Sequence, residues 1–121
     1  MYLDTVKKIA ANVLYIDNIS EIGDNNPLAE YGFSSIDYID LCYELKSNIS
    51  EKITPENLWP FNAMSTTKEY FDGTNWTPSG WKRVCDALGL EEEVKPIEPK
   101  DLGRYFTPVV LSRRVTQIVN G

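Results

Sequence analysis

Two adjacent hydroxyls, Ser34 and Ser35, stand directly before an apolar run, and Asp37, Asp40 and Glu44 follow them. Ser34 has the type and position of a helix N-cap, Asp37 falls at the third helical position, and Ser35 opens the first turn. Backbone N–H groups in that turn have no intrahelical acceptor, so a phosphate on Ser35 would be favoured by hydrogen bonding and by the helix dipole together. Asp37, Asp40 and Glu44 recur at spacings of three and four and define one acidic face. The plain alternative is that the serines only cap a helix and the acids only face water.

Other chemistry is scarce. The chain has no His, which removes the commonest general base and the commonest protein metal ligand. Cys42 and Cys85 are too few and too far apart for a CxxC pair or a zinc cluster. Both fall in apolar helical patterns and are expected as reduced core residues, Cys42 having no base to activate it. No Gly-rich phosphate loop is present. The sequence therefore does not read as an enzyme.

With 121 residues, 42% hydrophobic and 25% charged, the chain has the size and balance of one globular domain with additions. A formal charge of −6 disfavours nucleic acid and favours basic surfaces on partner proteins. No apolar run is long enough for a membrane span and Met1 to Lys8 lacks an export signal, so a cytoplasmic monomer is expected.

The elements that must position Ser35 follow from apolar periodicity. Leu3, Val6, Ile9, Ala10, Val13, Leu14 and Ile16 share one stripe and predict a helix from about Leu3 to Asp17. Asn18 to Ser34 contains Gly23, an Asn-Pro turn and Gly32, and predicts a long loop pinned by Ile19, Ile22, Leu28, Tyr31 and Phe33. Tyr38, Leu41, Cys42 and Leu45 then form the inward stripe of a helix that ends near Asn48. Ile36, Ile39 and Tyr43 make a second apolar strip beside the acids, with packing of Tyr43 against the bundle expected. Thr54-Pro55 starts a brief helix that Pro60 must end.

The segment Pro27-Leu-Ala-Glu-Tyr-Gly-Phe-Ser-Ser-Ile-Asp-Tyr-Ile-Asp-Leu41 resembles the attachment segment of acyl and peptidyl carrier proteins. Leu28, Gly32, Ser35, Ile36, Asp37 and Asp40 occupy the family's motif places, and the likeness extends over about residues 3 to 61. The resemblance implies an all-α four-helix bundle with a long loop after the first helix. It implies 4′-phosphopantetheine attached covalently to Ser35 by a phosphopantetheinyl transferase, the arm then holding acyl groups as thioesters for acyl-loading and acyl-processing enzymes in fatty acid, polyketide or related biosynthesis. It implies a partner-facing surface at Ile36, Asp37, Asp40 and Glu44. One departure concerns Ser34, which replaces the Asp that usually precedes the modified serine and helps engage the transferase and its metal ion. An aminoacyl or peptidyl carrier and an unmodified helical adaptor are the competing readings.

Carriers of this family usually finish after a fourth helix, and two segments compete for that place. Either 63–71 fills it, or Glu69 to Trp76 is a small hairpin around Asp72-Gly73 and the helix over 78–88, with Trp81, Val84, Cys85 and Leu88, is the fourth; the stronger periodicity favours the second. Residues 1–90 are accordingly expected to form the bundle, with 91–121 an extension. Within it a charged linker leads to a last helix opened by Thr107-Pro108. Trp76, Trp81, Tyr105 and Phe106 are expected in the core, and the Arg113-Arg114 pair is too small a basic patch to indicate a membrane.

Overall fold

The computed structural model describes residues 2–91 and 93–121; Met1 and Glu92, which fall in the expected bundle and linker, lie outside the described residues. The protein is all-α, as the sequence predicts. Helix α1, Leu3–Val13, buries Val6, Ile9, Ala10 and Ala11 on one stripe. It ends four residues before the expected Asp17 because Tyr15 turns left-handed at φ 58°. The Tyr15 N–H then donates to Asn12 O at 3.2 Å and the Ile16 N–H to Ala11 O at 2.8 Å, a paired closure that satisfies the helix's last carbonyls and turns Ile16 onto the core.

The following loop is ordered by its own side chains. Ile22 and Leu28 are fully buried, and Ile19, Tyr31 and Phe33 pack against the same core. The Tyr31 hydroxyl accepts from Gly23 N–H at 2.9 Å, and Lys7 pairs with Asp24 at 2.7 Å. Two backbone bonds lace the loop to the far end of the chain: Leu28 N–H to Phe106 O and Val109 N–H to Asp24 O, each 3.0 Å. Gly32, at φ 83°, makes the left-handed turn that leads into α2, Ser35–Asn48.

Helices α3, Pro55–Leu58, and α4, Phe61–Met64, are single turns, while α5 spans Pro78–Leu88 and α6 spans Pro108–Asn120. Thr54, Thr77 and Thr107 each accept a backbone N–H as N-cap before a Pro at the first helical position. Helix α1 packs on α2 and α6, α2 on α3, and α3 on α6, closing a four-helix ring. Leu111 and Val115 of α6 join Val6, Leu41, Leu45, Ile53 and Leu58 in one core. The fourth helix of the bundle is therefore α6, and neither segment anticipated for it. The strong periodicity of 78–88 reports burial in a second core instead.

That second core collects Phe61, Trp76, Trp81, Val84, Cys85, Leu88 and Leu102. Leu90, Val94 and Ile97 pack against it, so no break between cores occurs at residue 90, and the expected linker is a strap across α5. The strap continues into a 3₁₀ segment, Pro99–Tyr105. The predicted hairpin reduces to one antiparallel bridge, Phe71 to Trp76, closed by the Asp72 carboxylate accepting from Thr74 and Asn75 N–H. Gly80 is required where α5 passes Tyr70, since a Cβ there would stand 2.0 Å from Tyr70 O. Among the described residues no helix is long and apolar enough to cross a membrane.

Candidate functional site

The start of α2 assigns different tasks to the two serines. Ser34 Oγ accepts from Asp37 N–H at 3.3 Å and lies 3.0 Å from Asp37 Oδ2, to which it donates. Asp37 Oδ2 also accepts the Ser34 N–H at 2.8 Å. This capping box consumes the Ser34 hydroxyl in holding the helix start. Ser35, one residue on, is exposed, and among the described residues its hydroxyl makes no hydrogen bond. The Ser35 and Ile36 N–H groups have no acceptor among the described residues either, so both are available to an anion at this helix end.

Ser35 also stands at the rim of a groove of about 400 Å³ between α2 and α3, walled by Tyr38, Pro55, Trp59, Ala63 and Phe106. Tyr38 is fixed by donating to Pro55 O at 2.6 Å, and its burial raises the phenol well above its ordinary pKa. Trp59 meets Phe106 edge to face, with ring centroids 5.0 Å apart. Phe106 was expected in the core; it packs there on one side and faces the groove on the other. Cys42 is buried in the bundle as expected. Burial pushes its thiol up from 9.0 to about 11, which leaves it protonated near neutrality and inert. A second cavity of about 630 Å³, lined by Lys82, Arg83 and Arg114, lies on the other side of α4 and does not include Ser35.

Helix α2 buries Leu41, Cys42 and Leu45 and turns the opposite face outward. Ile36 and Asp40 are exposed, while Asp37 and Glu44 are half-buried. Asp37 belongs to the capping box, and Glu44 accepts from Asn48 at 3.3 Å. Tyr43 does not pack on the bundle as expected: it is 68% exposed, beside Ile36 at 76% and Ile39 at 56%. Sequence reasoning also missed Trp59 and Phe106 as neighbours of Ser35. Nothing local signals that proximity, because both reach the groove through the packing of α3 and the strap.

A family model for the phosphopantetheine attachment site matches residues 4–66, just over half of the chain. That segment runs from the first turn of α1 through the Ser34–Asp37 cap to the end of α4. The chain belongs to the phosphopantetheine-attachment family of carrier domains, and the group it carries is covalent 4′-phosphopantetheine. Such domains are generally carriers rather than catalysts, and they interact with a phosphopantetheinyl transferase and with biosynthetic enzymes. Neither a curated protein nor a solved structure matches the chain.

Proposed function

We propose that Ser35 is the attachment residue and that the protein is a specialised acyl carrier. The observation that carries this reading is the division of labour at α2, where the Ser34 hydroxyl is occupied by Asp37 and the adjacent Ser35 hydroxyl is exposed and unbonded among the described residues. A phosphate on Ser34 would face the Asp37 carboxylate and lose the cap. On Ser35 it meets the free N–H groups of Ser35 and Ile36 at the positive end of α2. The arm supplies a terminal thiol that holds an acyl group as a thioester. Tyr38, Pro55, Trp59 and Phe106 provide an apolar wall along which the arm and its cargo lie, starting from the residue that bears them.

The chain's own part is presentation. It has no His to serve as base, so deprotonation of Ser35 Oγ falls to the transferase. Acyl loading and processing fall to enzymes whose basic surfaces meet Ile36, Asp37, Asp40 and Glu44. The two cores support a carrier unit assembled from α1, α2, α3 and α6, with the segment between α3 and α6 inserted into it.

The test is intact mass after incubation with coenzyme A and a panel of transferases. Wild type is expected to gain one phosphopantetheinyl group and Ser35→Ala none. A wild-type mass unchanged by every transferase overturns the reading in favour of an unmodified adaptor, and a gain that survives in Ser35→Ala moves the site. An aminoacyl or peptidyl carrier would be separated by an amino-acid cargo on protein isolated from its host.

A further inference from the structure

Tyr15 is a residue the fold does not need. It occupies the left-handed position that closes α1, at φ 58°, a place where Gly carries no steric penalty and a ring-bearing side chain is strained. Its side chain gives nothing back to the core, being 95% exposed. The closing hydrogen bonds, Tyr15 N–H to Asn12 O and Ile16 N–H to Ala11 O, are made by backbone alone and would be made equally by Gly.

The surroundings of Tyr15 are not random. Of the five large apolar side chains that are strongly exposed among the described residues, Ile36, Ile39 and Tyr43 lie along the outward side of α2 and Tyr15 is the fourth. Tyr15 and Tyr43 line one shallow depression with Asp40 and Glu44. The patch begins at Ile36, next to Ser35, and reaches Tyr43 about 10 Å further along the helix axis at 1.5 Å per residue. An enzyme that brings a reacting group onto Ser35 must cover the near end of this patch.

We infer that Tyr15 is the far anchor of the surface on which the phosphopantetheinyl transferase docks, the two tyrosines entering an apolar recess of the enzyme while Lys or Arg side chains around it meet Asp40 and Glu44. The inference rests on Ser35 being the attachment residue. The acidic flanks set the chemistry of the partner, because complementary charge steers and registers an encounter. A rigid aromatic side chain with little packing of its own is the kind of residue that concentrates binding energy once covered.

The experiment separates docking from folding by the opposite signs it expects. Wild type, Tyr15→Gly and Tyr15→Phe are loaded with coenzyme A by a transferase that modifies the wild type, with intact mass followed in time at sub-saturating carrier and thermal melts run alongside. Tyr15→Gly is expected to raise Tm by about 2–6 °C while lowering kcat/KM for loading about tenfold, the loss lying in KM. Tyr15→Phe is expected to stay within about twofold of wild type, since the ring is kept. Unchanged loading of Tyr15→Gly overturns the inference and leaves Ser35 as the attachment site. Loading lost together with a lowered Tm also overturns it, by assigning Tyr15 to the fold. If no transferase modifies the wild type, the attachment reading fails first and this inference falls with it.

Discussion

The two cores of the protein solve the same problem with different side chains. In the bundle, Val6, Ile9, Leu41, Leu45, Leu111 and Val115 pack helix against helix. Those helices already satisfy their own backbone groups, so aliphatic volume is enough. The second core has only α5 as a regular element of any length, and an irregular strap must cross it. There the side chains are Phe61, Trp76 and Trp81. Trp76 Nε1 donates to Ile97 O at 2.8 Å and Trp81 Nε1 to Val94 O at 3.0 Å. An indole fills the space of a large aliphatic residue and also satisfies a strap carbonyl, which Leu or Phe cannot do.

The comparison breaks most sharply at Trp81, which is 7% exposed. Trp81→Ala removes a buried aromatic and orphans Val94 O, and about 3–5 kcal/mol of stability is expected to go with it. Hydrogen exchange should show where the loss falls. Amides of α5 and of the segment over 93–105 should lose protection more than those of α1 and α2, because the strap meets the bundle core only through Phe106 at its far end. Uniform loss across both cores would mean that they unfold as one unit.

A smaller effect sharpens the exception to the rule, for the bundle also has a polar clasp at α6. Arg114 on α6 donates from Nε to Leu58 O at 3.2 Å and from Nη2 to Asn57 O at 2.5 Å, and it also bonds Gln117 Oε1. It thereby ties α6 to the end of α3, a single turn whose last carbonyls have no helical partners. Arg113 reaches Asp86 O on α5 at 3.1 Å, so the basic pair joins elements rather than facing a membrane. Arg114→Met keeps length and volume and removes the donors. A loss of about 1–3 kcal/mol in urea unfolding is expected, and a loss below about 0.3 kcal/mol would show that α6 is held by its apolar face alone.

Local signals were legible and distant ones were not. Ser34 with Asp37, Thr54-Pro55, Thr77-Pro78 and Thr107-Pro108 all start helices where the sequence predicts, because a cap is chemistry between residues three apart. The stripe of α1 was equally plain, but its end was not, since no sequence rule expects Tyr to take the left-handed position. Periodicity also finds a face without saying which way it points. Ile36, Ile39 and Tyr43 repeat as regularly as Tyr38, Leu41, Cys42 and Leu45, and burial alone decides between them. The fourth bundle helix was misplaced for a related reason: α5 is the nearer periodic segment in sequence, while α6 closes the ring in space. Beside Ser35, the exposed position in the first turn of α2 could be read and the aromatic groove next to it could not, because Phe106 comes from the far end of the strap.

The smallest expected effect concerns the single thiol of the bundle core and its response to pH. Burial first, then the charge of Glu56, push Cys42 up to about 11 against an ordinary 9.0, with the Tyr38 hydroxyl partly opposing them. Below pH 9 the thiol is neutral in the folded and unfolded chains alike, so its contribution to stability is complete. Between pH 9 and 11 the unfolded chain ionises first, and that contribution declines as pH rises through the folded value. Cys42→Ala removes the titrating group, while the other groups that ionise in this window, Tyr38 among them, remain in both proteins. The stability advantage of wild type over the variant should therefore shrink with alkali, by about 1 kcal/mol or less at pH 10. Urea midpoints of the pair at pH 8, 9, 10 and 10.5 make the comparison. A constant difference would mean that Cys42 ionises as readily in the folded protein as in the open chain, and hence that the bundle core admits water where its packing implies none.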